Sequence, residues 1–116
     1  MTGLEQRTGA VVRGAIGVIE EFGWTRGNYG NHNIGFCAVG SMLDFDASLD
    51  SKDTYDKIGT LAVWLITNGF VEHVDTQMWL TPHAAVPHWN DNIVESKEEL
   101  LAVLRKAADD LDPQRV

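Results

Sequence analysis

The sequence predicts a mostly α fold, a single small domain of about four helices around one core. Three observations carry that expectation. Apolar residues recur at helical spacing in three separated stretches, residues 12–22, 55–66 and 100–111. Between them lie glycine-, aspartate- and proline-containing segments that break the period. The length, 116 residues, suits one domain with its own core, and 44% hydrophobic with 22% charged content is the balance of a globular chain.

Thr2 and Glu5 have capping-box spacing, so the first helix starts near residue 2. Val12, Ala15, Ile16, Ile19 and Phe22 form its apolar face, widened by Val11 and Val18. Gly9, Gly14 and Gly17 interrupt it, each costing up to about 1 kcal/mol relative to alanine. They are either tolerated, or Gly14 and Gly17 make a small-residue patch where another segment approaches. Gly23 suits the position just past the helix, with Trp24 as the trailing hydrophobic contact. Residues 25–36 carry no period and read as a long loop rich in glycine and asparagine. Residues from 37 to 43 or 45 read as a short helix, with Cys37 near its first turn and Met42 and Leu43 facing inward.

Residues 44–53 read as a solvated acidic connector, with Ser51 or Asp53 capping the next helix. Its inner face is Tyr55, Ile58, Leu61, Ala62, Leu65 and Ile66, with Trp64 beside it, and Asn68-Gly69 ends it with Phe70 as the trailing contact. Residues 71–80 fit either a helical turn or a short strand pair. Pro82 and Pro87 predict an extended or looped course over 81–92. Ser96 and Glu99 then form a capping box for a last helix whose buried stripe is Leu100, Leu101, Leu104, Ala107, Ala108 and Leu111, and Pro113 stops it.

The net charge of −8 repels phosphate backbones, arguing against a nucleic-acid binder or a binder of anionic membranes. It suits solubility, and it suits a partner with a basic surface. No apolar run approaches the roughly 18 residues of a membrane span. No charged segment followed by an apolar one marks a secretory signal. A single cysteine permits no internal disulfide and fits a reducing cytoplasm.

The stretch 23–43 is where chemistry would sit. A cysteine at a helix N-terminus feels the positive end of the helix dipole, which favours thiolate. As a nucleophile, Cys37 would need a base from His83 or His88 and an orienting group from Asn90 or Asp91. The competing reading is a small buried hydrophobe under Trp24. The glycine loop lacks the lysine and hydroxyl of a phosphate-binding loop, and Arg26 is its nearby cation. Asp44, Asp46, Ser48 and Asp50 begin a calcium-loop pattern that fails at Leu49 and Tyr55. His32, His73, His83 and His88 lack zinc-ligand spacing, so neither a metal nor a cofactor is expected. Trp89-Asn90-Asp91 reads as a turn into the last helix with Trp89 as a core anchor; in the sharper reading, Asn90 or Asp91 faces the Cys37 loop.

Together these pieces resemble a group of small uncharacterised proteins of actinobacteria and their phages. The resemblance rests on Gly23-Trp24-Thr25-Arg26-Gly27, on Gly35-Phe36-Cys37-Ala38-Val39-Gly40-Ser41-Met42, and on Trp89-Asn90-Asp91 ahead of the last helix. The family spacing before the cysteine is one residue longer. Its loop often carries an aspartate where this chain has Asn31 or Asn33, and Ser41 stands at a position that is usually alanine. The resemblance implies that Trp24, Cys37, Asn90 and Asp91 belong together; it brings no activity, cofactor or partner. The expected function is a non-enzymatic cytoplasmic accessory protein, of phage or actinobacterial origin, that binds another protein. Its surface would include the loop residues Trp24, Arg26, Tyr29, Asn31 and Asn33. The alternatives are a small cysteine-dependent hydrolase or transferase using Cys37, and a homo-oligomeric virion component.

Overall fold

The structure, a computed structural model, describes residues 3–46, 51–72 and 82–113. The first helix, α1 (Gly3–Phe22), is the centre of the fold and packs against three others: α2 (Ala38–Phe45), α3 (Ser51–Thr67) and, most extensively, α5 (Lys97–Leu111). Its apolar face is the expected one, with Val11, Val12, Ala15, Ile16 and Ile19 buried. These pack into one core with Leu61 and Leu65 of α3 and Leu100, Leu104 and Ala107 of α5. Gly23, at φ +103°, ends α1, its N–H donating to the Ile19 carbonyl at 2.8 Å. The expected cap at Thr2 lies outside the described residues.

The small-residue patch on α1 involves Gly9 and Gly14, not Gly14 and Gly17. A Cβ on Gly9 would stand 2.4 Å from Cβ of Asp112, and one on Gly14 would stand 2.3 Å from the Phe45 ring, whereas Gly17 has nothing within 4 Å. Gly9 therefore lets the end of α5 close against α1. Arg13 fastens the same end, donating to the Asp112 carboxylate at 2.9 Å and the Asp112 carbonyl at 2.6 Å.

The stretch 25–36 is not a structureless loop. It holds a short antiparallel pair, β1 (Gly30–Asn31) with β2 (Gly35–Phe36), in register Gly30 to Phe36 and Asn31 to Gly35. Asn31 closes the turn by accepting from the backbone N–H groups of Asn33 (2.8 Å) and Ile34 (3.1 Å). Gly35 sits at φ +92° directly on the backbone of Gly23. A side chain there would meet the Gly23 carbonyl carbon at 2.5 Å, which is why the sequence needs glycine at this crossing. The strand pair expected in 71–80 falls mainly on residues outside the described set; the described pair is this one.

Two further expectations are corrected. Residues 82–93 are helical, not extended: a 3-10 turn (Pro82–Ala84), α4 (Ala85–His88) and a widened π turn (Trp89–Ile93) follow one another. Both prolines fall in the first turn of a short helical segment, where an N–H would have no intrahelical acceptor to lose. The segment 44–53 is not uniformly solvated either. Asp46 is buried, and α3 already runs from Ser51, so Asp53 lies inside its first turn instead of capping it. Lys57, 1% exposed, reaches Asp46 at 3.1 Å and Asp53 at 2.8 Å, and Thr54 donates to the same Asp46 oxygen at 2.9 Å. This buried ion cluster joins the end of α2 to the start of α3. The last helix follows expectation: Ser96 accepts from the Glu99 N–H at 3.1 Å, although Glu99 reaches back to Glu95 N–H and not to that of Ser96.

Candidate functional site

Asn90 is the hub of the site. It is fully buried, and the widened turn that contains it points both Trp89 and Asn90 inward. Its carbonyl oxygen accepts from the Trp24 indole N–H at 2.8 Å and from the Ala38 backbone N–H at 3.0 Å. Its amide donates to the Thr25 carbonyl at 3.1 Å and to Asp91 Oδ1 at 2.8 Å. Asp91 Oδ1 in turn accepts from the Gly27 N–H at 3.0 Å. One side chain thus ties the end of α1, the glycine loop, the start of α2 and the turn before α5. The structure brings Trp24, Cys37, Asn90 and Asp91 together.

Cys37 is the N-cap of α2. Its thiol is buried, and Sγ accepts from the Gly40 N–H at 3.2 Å, the role a serine or threonine usually fills. Gly40 has no room for a side chain, because a Cβ would lie 1.9 Å from the Tyr29 carbonyl oxygen. The loop therefore rests directly on the first turn of α2, held also by Cys37 N–H to the Tyr29 carbonyl at 3.2 Å. Burial pushes the Cys37 thiol above its ordinary range; the Gly40 and Val39 amides oppose this, and the Asp91 carboxylate adds to it. The helix terminus does not win, contrary to the thiolate expectation. The cleft beside Cys37, about 310 Å³, is lined by Gly27, Asn28, Tyr29, Pro87 and Asp91, with no histidine in its wall.

Thiol labelling checks this arrangement. In the native protein a thiol reagent at pH 8 should react at least about tenfold more slowly than in urea. Cys37→Ser should keep the cap, whereas Cys37→Ala should lose about 1 kcal/mol in a denaturant titration. Fast native labelling with an inflection below neutral pH would contradict a buried cap.

On the outer side of the loop, Tyr29 is 63% exposed, and it stands over an apolar groove of about 300 Å³. Val39 and Leu43 of α2, Tyr55 and Ile58 of α3, and Pro87 form its walls. Leu43 and Tyr55 were expected in the core and are instead exposed at 39% and 49%. Successive helical residues lie about 100° apart, and with residues 38–42 of α2 turned into the core Leu43 falls at the edge of the buried face. Tyr55 stacks on His83, ring centroids 3.7 Å apart, and His83 leans over the bare backbone of Gly59. A larger cleft, about 610 Å³, opens around Trp64, but its Asp110 already accepts from the Trp64 indole at 3.0 Å.

The remaining expected residues divide. Arg26 lies over the Trp24 ring and donates to the Val94 carbonyl, so it fastens the junction although its side chain is exposed. Trp24 is half-buried and Asn31 is occupied by its turn, while Asn33 is exposed. His83 lines the groove, and His88 contacts Asn92 at 3.3 Å. Sequence reasoning missed the groove because its walls come from α2, α3 and the 82–93 segment. No local signal marked it, since helical spacing puts Leu43 and Tyr55 on the inner faces of their helices.

Among the described residues, no helix is long and apolar enough to cross a membrane, and no three His, Cys, Asp or Glu residues cluster as metal ligands. Neither a curated protein nor a solved structure matches the chain. A family model does, over residues 4–110, and its description is a family of unknown function, DUF6197.

Proposed function

We propose that this chain, which belongs to the DUF6197 family of unknown function, is a non-enzymatic binding protein whose docking surface is the groove under Tyr29. One observation carries the reading. Three large apolar side chains from three separate elements, Tyr29, Leu43 and Tyr55, stand exposed around a single groove. Exposed apolar side chains scattered singly need no explanation, but a ring of them with two tyrosines has the composition of an interface centre. The loop that presents Tyr29 is held by Asn90 and Asp91, so the surface is organised before a partner arrives. A cytoplasmic setting, drawn from the single cysteine, and an actinobacterial or phage origin, drawn from the sequence motifs, are part of the proposal. The cysteine-enzyme reading is less well supported, because the thiol is buried, serves as a helix cap and has its protonated form favoured.

Affinity capture from source-cell lysate by wild type and by a Tyr29→Ala/Tyr55→Ala variant, side by side, tests the proposal. The expected result is a protein held by the first and weakened at least about tenfold in the second. A partner retained equally by both would place the interface elsewhere.

A further inference from the structure

We infer that the groove takes a peptide segment of its partner that presents an apolar side chain close to a lysine or arginine, the apolar group seated between Tyr29 and Tyr55 and the cation at Asp91. This rests on the binding reading above. The groove and the cleft beside Cys37 share Tyr29 and Pro87 in their linings, so they lie side by side. The first is walled by Val39, Leu43, Tyr55 and Ile58; the second has Asp91 in its wall.

Asp91 is half-buried, and its hydrogen bonds from Gly27 N–H and Asn90 Nδ2 both end on Oδ1. It enters no ion pair among the described residues. Neither the groove nor the cleft is lined by a lysine or arginine. Five of the cations on the helices pair with other carboxylates: Arg7 with Asp53, Arg13 with Asp109 and Asp112, Lys52 with Asp56, Lys57 with Asp46 and Asp53, and Arg105 with Glu20. A half-buried carboxylate in a cleft next to an apolar groove, screened less than one in open water, is complementary to a cation on an aliphatic stem. The stem would lie along Pro87 and Tyr29, and the tyrosine face adds an attraction for the charge. The net charge of −8 draws a basic segment towards the protein and opposes the approach of a second copy of the chain.

The test is a random peptide library displayed on phage and panned against the full chain. Enriched peptides are then titrated by fluorescence polarisation against wild type, Tyr55→Ala and Asp91→Asn. Asparagine keeps the acceptor for Gly27 N–H while removing the charge. The expected result is a shared motif of one apolar and one basic residue a few positions apart. Asp91→Asn should weaken binding at least about tenfold and flatten its salt dependence, and Tyr55→Ala should weaken it comparably. Replacing the basic residue of the peptide with glutamine should reproduce the Asp91→Asn loss, which keeps the test valid even if that variant folds poorly. Peptides that need Tyr55 but bind wild type and Asp91→Asn alike would overturn the cation assignment and leave the binding reading standing. Panning that enriches nothing, or only peptides indifferent to Tyr55→Ala, would overturn both. A dimer in sedimentation that dissociates on Tyr55→Ala would put a second copy in the groove and likewise overturn the peptide assignment.

Discussion

Asn90→Ala is expected to cost about 3 kcal/mol or more, measured as the shift of a urea unfolding midpoint. Asn90 is fully buried and satisfies four groups at once. Its removal leaves the Ala38 N–H buried without an acceptor and frees the Trp24 indole N–H, and each orphaned buried donor costs about 1–3 kcal/mol. A cavity adds to that. Against the usual net stability of about 5–15 kcal/mol, such a loss takes much of the margin. Asn90→Asp separates geometry from charge. It keeps an acceptor for Trp24 and Ala38 but turns a donor into an acceptor facing the Thr25 carbonyl and Asp91, so it should be no milder than alanine. Since Gly27 and Thr25 hang from the same cluster, both variants should also loosen the Tyr29 loop and weaken any ligand of the groove. A loss below about 1 kcal/mol for Asn90→Ala would mean that the junction is held by packing alone.

Lys57→Met should be as damaging, by a different route. Removing the cation strands Asp46, which is 3% exposed, with Thr54 as its remaining hydrogen-bond donor in the cluster. Breaking a buried pair from one side typically costs about 3–5 kcal/mol. The double variant Lys57→Met/Asp46→Leu should recover much of this, because a well-packed apolar pair avoids the desolvation that the ion pair bears. Failure of the second substitution to recover any stability would show that Asp46 was not the stranded group.

The same cluster sets a pH dependence. The Lys57 bond and the neighbouring Arg7 hold Asp53 below its ordinary 3.8, so its contribution is present above that value and lost as pH falls through the lowered one. Burial works against the Lys57 ammonium, yet its bonds to Asp53 and Asp46 outweigh burial and hold it above 10.5. Its contribution is therefore present below 10.5 and lost as pH rises through the raised value. The contribution of this cluster should be level between these limits and fall at both, and in Lys57→Met both falls should shrink.

Much of the helical frame was legible in the sequence because it depends on local chemistry. The faces of α1 and α5, the Gly23 stop and the Ser96 cap follow from side-chain period and from backbone groups that need partners within a turn. The kinship of Trp24, Cys37, Asn90 and Asp91 was legible only as a co-occurrence of motifs; the contacts span 52 to 66 positions of chain, and no local rule relates residues so far apart. Lys57 was invisible for a related reason. A lysine four residues after an aspartate on a helix normally marks a solvated face, and only the approach of Asp46 from α2 turns it into a buried ion cluster. Prolines at 82 and 87 argued against helix, and the fold accommodates both by placing them where no hydrogen bond is lost. The opening feature of the chemistry, a cysteine at a helix start, was correctly placed by the sequence, but its protonation was decided by burial and by Asp91, both properties of the packed molecule. The sequence by itself determined that α1, α2, α3 and α5 are helical and which faces of α1 and α5 are apolar, since those depend on neighbours a few bonds away. The tertiary structure alone decided that a buried asparagine holds the loop, that a lysine is buried, and that Tyr29, Leu43 and Tyr55 surround one groove, since each needs segments brought together by the core.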